Sequence, residues 1–342
     1  MSRVGVLRSL VAAVLFGATA PLASRLAESV PAFTLAALLY LGAAMAVLPS
    51  VVSAPPTRRA LAMEWRPVSA AVVFGGAIGP VLLMLGLART SAATGSILLN
   101  TELVATVLIA AVFFREHLGG WVWASVAFVS AAGVLLSWEP GAGIDTGALL
   151  IVAACACWGL DNSVTASIQQ LAPEHVVALK GVIAGGANLA IGLSVSGWGA
   201  TTGAGDVVWA LLIGATGYGL SITLWVKGAR DLGAARAQVI FATAPFIGAA
   251  IAWSVFQEHV TNRQMLAVLV AAIGVACSLF SQHEHAHHHE AMVHDHDHTH
   301  DDGHHGHVHD DGFAGRHAHR HRHAERIHAH SHAPDLHHRH KH

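Results

Sequence analysis

The sequence predicts an all-α membrane protein: ten transmembrane helices arranged as two inverted five-helix repeats, followed by a disordered tail. Three observations predict it. Apolar residues make up 54% of the 342, and Asp, Glu, Lys and Arg together only 12%, about half the charged share of a soluble domain. Of the 27 His, 24 lie between His283 and His342, so the averages hide an apolar body and a polar tail. The body also repeats itself at an offset near 142 residues.

This composition excludes a soluble enzyme with one water-facing surface. A nucleic-acid-binding domain is excluded too, because no basic stripe runs through the body. Three Cys (Cys155, Cys157, Cys277) cannot build a disulfide framework.

Ten apolar stretches have the length that crosses a bilayer as a helix. They lie near residues 6–24, 32–52, 68–87, 92–114, 121–138, 147–168, 175–196, 207–226, 233–256 and 264–281. Helices are required, because an open strand edge in lipid leaves backbone groups unpaired. The first stretch continues into Pro21 and Arg25 without a small-residue cleavage pattern, so no leader is read there. Gly75 with Gly79, and Gly181 with Gly185, have the spacing that lets helix backbones approach.

Orientation follows from Lys and Arg in the short loops. With the N-terminus inside, the inner set is Arg3, Arg8, Arg58, Arg59, Arg66, Arg115, Lys227, Arg230 and Arg236, and the outer set Arg25, Arg89 and Arg263. Ten spans then leave both termini in the cytoplasm of a cell whose inner (plasma) membrane holds the chain. Lys180, five residues into the seventh stretch, is expected near the inner face, where its long stem can reach water. Trp121, Trp123, Trp138, Trp198 and Trp209 fall near span ends, as interface anchors do.

The repeat divides the chain into residues 1–140, 141–282 and the tail 283–342. Phe16-Gly17 matches Trp158-Gly159, Gly75 matches Gly217, and Thr101 matches Thr243. Leu103 matches Pro245, and Arg115-Glu116-His117 matches Gln257-Glu258-His259. Five spans is an odd number, so the halves enter the membrane in opposite orientations. Inverted repeats of this kind mark secondary transporters, whose site lies near the midplane between the halves.

The stretch Ser91 to His117, with Thr101-Glu102-Leu103 at mid-span and Phe114-Arg115-Glu116-His117 at its end, resembles the EamA-type unit of the drug/metabolite transporter superfamily. Gln257-Glu258-His259 and the pairs Phe16-Gly17 and Trp158-Gly159 resemble the same unit seen twice. The resemblance covers residues 1 to about 281. It implies a ten-helix transporter with both termini cytoplasmic that exports a small metabolite or drug. Where the family often has Glu-Pro in the fourth span, this chain has Glu102-Leu103, which puts a kink there in doubt, while Pro245 keeps one in the second half.

Candidate pathway residues are those whose polarity is costly at mid-depth. Glu102 lies near the centre of the fourth stretch, where a carboxylate costs about 2.5–3.5 kcal/mol on insertion scales. It reads either as a proton carrier or as a packing group bonded to a neighbouring helix. Thr101 precedes it, and Thr106, four residues on, shares its face. Asp161 and Asn162 lie just past the centre of the sixth stretch, where the first half has Thr19 and Ala20. They line a pathway or bond helix to helix. Thr243 and Pro245 are the partners of the fourth-span positions. Pro21, Pro80 and Pro245 each remove a backbone donor and free a carbonyl. Glu116 and Glu258 end their spans and read best as solvated helix ends or structural ion pairs. Cys155 and Cys157 point about 200° apart on a helix and cannot chelate one ion together. No phosphate loop, nucleophile elbow or His-Glu-x-x-His helix is present, so no enzyme is expected.

The tail lacks the apolar content to fold alone. Imidazole among carboxylates suits Zn²⁺, Ni²⁺, Co²⁺ or Cu²⁺. His285, His287, His288, His289, His294, His296, His298 and His300 are diffuse candidate ligands, with no spacing that fixes a set of four. A solvated spacer is the plain alternative. The tail raises two further readings of the whole chain: a divalent transition-metal exporter, or a membrane-anchored metal buffer. Against the exporter, His117, His175 and His259 all fall near span ends. The expected partners are a small-molecule solute, protons as coupling ion, the lipid bilayer and transition-metal ions on the tail, with no required cofactor and no nucleic acid; a homodimer is compatible with this reading.

Overall fold

The structure is a computed structural model that describes residues 3–114, 119–139, 143–166, 168, 170–196, 202–232, 240–280, 283–289, 293–298, 317–322 and 326–332. The chain divides into a helical unit holding Met1–Ser281 and a tail unit, Gln282–Ala333.

Among the described residues, eight helices are long and apolar enough to cross a membrane: Arg3–Leu26, Ala32–Ser53, Arg58–Leu87, Ala92–Ile109, Gly120–Ser137, Thr146–Thr165, Pro173–Val195 and Ala204–Gly228. Two shorter apolar helices, Ala244–Ser254 and Asn262–Cys277, follow. The sequence reading expects ten full-length stretches. In the ninth the described backbone is helical at residues 240–241, turns at Ala242–Thr243 and is helical again over Ala244–Ser254; residues 233–239 lie outside the described ones.

The core is made where helices cross on small residues, with Leu35, Leu39, Leu83, Met84, Ile97, Leu98 and Ile151 fully buried among alanines. Large apolar side chains such as Met45, Val112, Val195 and Leu269 stay exposed. In a bilayer that outward surface meets lipid tails and needs no further cover.

Helix geometry is interrupted at corresponding places. Ala71–Ile78 and Gly214–Leu220 both wind as wide π-helical turns. Leu99–Asn100 and Ala242–Thr243 both interrupt a helix with a turn. At each turn a Thr hydroxyl donates three residues back, Thr101 to the Leu98 carbonyl at 2.7 Å and Thr243 to the Ile240 carbonyl at 2.6 Å. The Asn100 amide donates to the Ile97 carbonyl at 2.8 Å. These side chains satisfy acceptors that a broken helix leaves open. The first turn therefore forms without a proline, and Leu103 is no obstacle to it. Pro245, read as a kink, is instead the second residue of its helix, where a missing N–H costs nothing. A third π-segment, Lys180–Ala184, has no counterpart in Ala32–Ser53, which is α-helical throughout.

Between the two sets of helices, Trp138–Glu139 pairs antiparallel with Gly143–Ile144. Arg263 donates to the carbonyls of Leu135 and Trp138 and ties the last helix to that link.

In the tail unit the composition predicts no folded structure, and the described backbone departs from that. His283–His289 pairs antiparallel with Arg326–His332, and Val293–His298 with His317–Arg322. The composition argument concerns the lack of an apolar core. Strand ladders need none to pair their own backbone groups, and a strict His-x-His alternation has the period of a strand.

Candidate functional site

Glu102 stands in the first turn of the Thr101–Phe114 helix, directly after the break at Leu99–Asn100. A carboxylate there faces the positive end of a helix dipole. Its Oε1 accepts a hydrogen bond from Asn162 Nδ2 at 2.7 Å. Glu102 is half-buried and Asn162 is exposed.

Asp161, next to Asn162 on the Thr146–Ala166 helix, is buried. Its Oδ1 accepts from Thr165 Oγ1 at 3.0 Å, and its Oδ2 from Lys180 Nζ at 2.5 Å. Lys180 is thus turned inward, with only 14% of its side chain exposed. That corrects the expectation that it reaches outward to water. In an apolar span an ammonium is held most cheaply by a carboxylate partner.

Space for this pair comes from Gly75. A methyl group added there would run into the Asp161 carboxyl. The Gly75 carbonyl lies in the wide turn and accepts from two side chains, Tyr40 Oη at 2.5 Å and Trp158 Nε1 at 3.1 Å. Trp158, Asp161, Asn162 and Thr165 follow one another at helical spacings of three, one and three, so one helix face presents all four.

The cluster therefore holds two carboxylates and one ammonium, drawn from Tyr40, Gly75, Glu102, Asp161 and Lys180 on five separate helical segments. Beside it stands an aromatic group. Tyr40 and Tyr218 ring centroids are 5.5 Å apart, Phe16 meets Tyr218 edge-on at 6.0 Å, and Phe16 and Phe241 are 5.2 Å apart. Trp225 lies 6.1 Å from Phe241, and its indole N–H is buried without a hydrogen-bond partner.

Of the residues singled out from sequence, the structure brings Glu102, Asp161 and Asn162 together. Thr106 packs where Gly159 lets two helices approach. Thr101 and Thr243 make local bonds at the helix breaks, and Pro245 starts a helix. Pro21 is buried within Arg3–Leu26. Glu258 accepts from the backbone N–H groups of Ala92 and Ala93 at 2.9 and 3.0 Å. It caps a helix start across 165 residues of chain rather than facing solvent. Glu116 and the diffuse tail ligands His285, His287, His288, His289, His294, His296, His298 and His300 have no described side chains. Among the residues whose side chains are described, no three His, Cys, Asp or Glu converge to hold a metal.

Sequence reading missed Tyr40, Gly75, Trp158 and Lys180 as parts of one cluster. The usable signal was Lys180 itself, a single ammonium inside an apolar run that also has an unpartnered carboxylate one span earlier.

The sequence matches the EamA-like transporter family twice, over residues 3–138 and 145–280. It is 25% identical over 206 residues to a protein from Methanothermobacter thermautotrophicus described as an uncharacterized transporter, a match that covers 58% of this chain and 60% of that one. The fold is similar to a solved crystal structure with a TM-score of 0.58, at 16% identity, covering 80% of this chain and 95% of the other.

Proposed function

The chain belongs to the EamA-like transporter family, and from that premise we propose that it is a secondary-active exporter of a small metabolite or drug. Two five-helix halves of opposite orientation alternate access to a site between them. The eight long helices and the two shorter apolar ones make ten passes, with both termini in the cytoplasm of a plasma membrane. The twofold family match, the two helix breaks and the two wide turns at corresponding places support this arrangement.

The observation that carries the reading is the Glu102–Asn162 contact beside the Asp161–Lys180 pair. A half-exposed carboxylate at mid-span is too costly to face lipid, so it favours a wet cleft. Lys180 neutralises Asp161, and among the described residues the Glu102 carboxylate takes its side-chain hydrogen bond from the Asn162 amide. That leaves Glu102 free to exchange a proton or a cationic group of the solute. Discontinuous helices beside it bring helix ends and their dipoles to the site, as transporter sites use them. The aromatic group offers flat apolar surface to the rest of the solute.

The test is flux in proteoliposomes under an imposed proton gradient, with a panel of radiolabelled metabolites and cationic drugs. Glu102→Gln keeps the amide-length side chain but cannot carry a proton. It should insert normally and lose gradient-driven flux while keeping solute-for-solute exchange. Glu102→Asp should retain part of the flux. Wild-type flux in Glu102→Gln would overturn the assignment of this carboxyl.

A further inference from the structure

The helix Arg58–Leu87 is longer than the hydrocarbon core of a bilayer requires. Its 30 residues span about 45 Å at about 1.5 Å each, against about 30 Å of hydrocarbon. From Pro67 to Leu87 it carries no charged residue, and that part alone has the roughly 20 residues that cross. The turns before it, Arg58 to Arg66, therefore stand in the headgroup layer and the water beside it.

Those turns have two unlike faces. Ala60 and Val68 are buried in one cluster with Leu171, Val176 and Ala184. Glu64 lies between them at helical spacings of four, and its Oε1 accepts from the Gln170 backbone N–H at 3.1 Å. The one carboxylate of the segment is thus turned toward the protein. Arg58, Arg59, Met63, Trp65 and Arg66 are exposed. At about 100° per residue, Arg59, Met63 and Arg66 form one stripe, and Arg58 and Trp65 a second beside it. The Arg66 guanidinium lies 5.4 Å from the Trp65 ring centroid. Met63 and Trp65 are 59% and 58% exposed, so cations alternate with open apolar surface.

The helix start adds a second reason for an anion here. Thr57 Oγ1 caps it by accepting from the Ala60 N–H at 3.1 Å. The first turn holds two arginines and no acidic residue. Cations are disfavoured at the positive end of a helix dipole, and an outside anion offsets both.

We propose that this face binds the headgroup of an anionic phospholipid such as phosphatidylglycerol. Arg66 and Trp65 stand at headgroup depth, where a guanidinium takes phosphate oxygens in pairs and an indole bridges apolar and polar layers. Arg58 and Arg59 stand about 10–12 Å farther along the axis, close to a Debye length from the charged layer. Exposed Met63 and Trp65 among the arginines fit an amphiphile, whereas a free phosphate ion has no use for apolar surface. The face needs only a bilayer around the helical unit and is independent of the solute carried.

The experiment is native mass spectrometry of the full chain in detergent with equal phosphatidylglycerol and phosphatidylcholine, reading the bound-lipid peaks. Arg59→Gln, Arg66→Gln removes two charges from the face. Arg3→Gln, Lys227→Gln removes two exposed charges from other helices that the loop-charge reading puts at the same membrane surface. Arg59→Lys, Arg66→Lys keeps the charge. The wild type should retain phosphatidylglycerol over phosphatidylcholine. The first pair should lower that preference roughly tenfold, the second should leave it unchanged, and the lysine pair should keep most of it. Equal losses in the two glutamine pairs would overturn the site in favour of diffuse attraction. Displacement of the lipid by inorganic phosphate at the same concentration would overturn it in favour of a free anion. A dimer peak lost with the first pair would assign the face to a second copy of the chain instead. A wild type without preference overturns the proposal outright.

Discussion

Two junctions of the helical unit follow one plan and carry different chemistry. At one, Gly75 in its wide turn makes room for Asp161. At the other, Gly217 in its own wide turn makes room for Thr19. Gly159 lets its helix approach Ala105, and Gly17 lets its helix approach Ile247, the residue that corresponds to Ala105. The packing is thus shared position by position. The charges are not: where the first junction has Asp161, Asn162, Lys180 and Glu102, the corresponding residues of the second are Thr19, Ala20, Leu38 and Ala244. Trp158 of the first corresponds to Phe16 of the second, which joins the aromatic group. Scaffold and chemistry can therefore be separated by asking what is present twice and what is present once.

The largest effect should come from splitting the buried ion pair. Lys180→Met strands the Asp161 carboxylate and should cost about 3–5 kcal/mol of stability. Adding Asp161→Asn should recover most of the melting temperature in detergent without recovering flux. A Lys180→Met protein that melts like the wild type would erase the distinction between the charged junction and its neutral partner.

Next come the glycines. Gly75→Ala and Gly217→Ala should each cost about 1–3 kcal/mol through overpacking. Thr19→Ala removes the group that the second methyl meets, so it should relieve Gly217→Ala. Asp161→Asn keeps the size of the obstacle and should not relieve Gly75→Ala. Flux measured at a temperature where both remain folded should fall in Gly75→Ala and persist in Gly217→Ala. The comparison sharpens if only the first loses transport.

The smallest effect should be the most even. Thr101→Val and Thr243→Val each remove one hydroxyl-to-carbonyl bond at a helix break. Each should cost about 0.5–1.5 kcal/mol. Thermal melts that differ widely between the two would show that the breaks are not equivalent.

The apolar stretches were legible because their length and hydropathy are set by a bilayer's thickness, a constraint that acts on each stretch alone. Glu102 and Asp161 were legible as charges in the wrong solvent. Their arrangement was not. Lys180 looked like a residue near a membrane face because position in a stretch fixes a Cα and leaves the direction of a long flexible stem open. The break before Thr101 lacked the proline or glycine by which breaks are read, and Asn100 and Thr101 supply its hydrogen bonds instead. The π-turns have no composition of their own. Gly75 was legible as a small residue, but its neighbour is 86 positions away. The role of Glu258 as a cap depended likewise on a partner in the other half of the chain.

The two wide turns also speak to descent. A π-turn holds one residue more than the α-turn it interrupts, which makes it a mark of insertion in a lineage. Finding it at matching places in both segments that match the family fits one sequence unit present twice. The wide turn at Lys180–Ala184 has no twin, and neither do Glu102, Asp161 and Lys180. Those features set one segment apart from the other. A chain that fuses two copies can place a charge once, where a pair of identical chains must carry it twice.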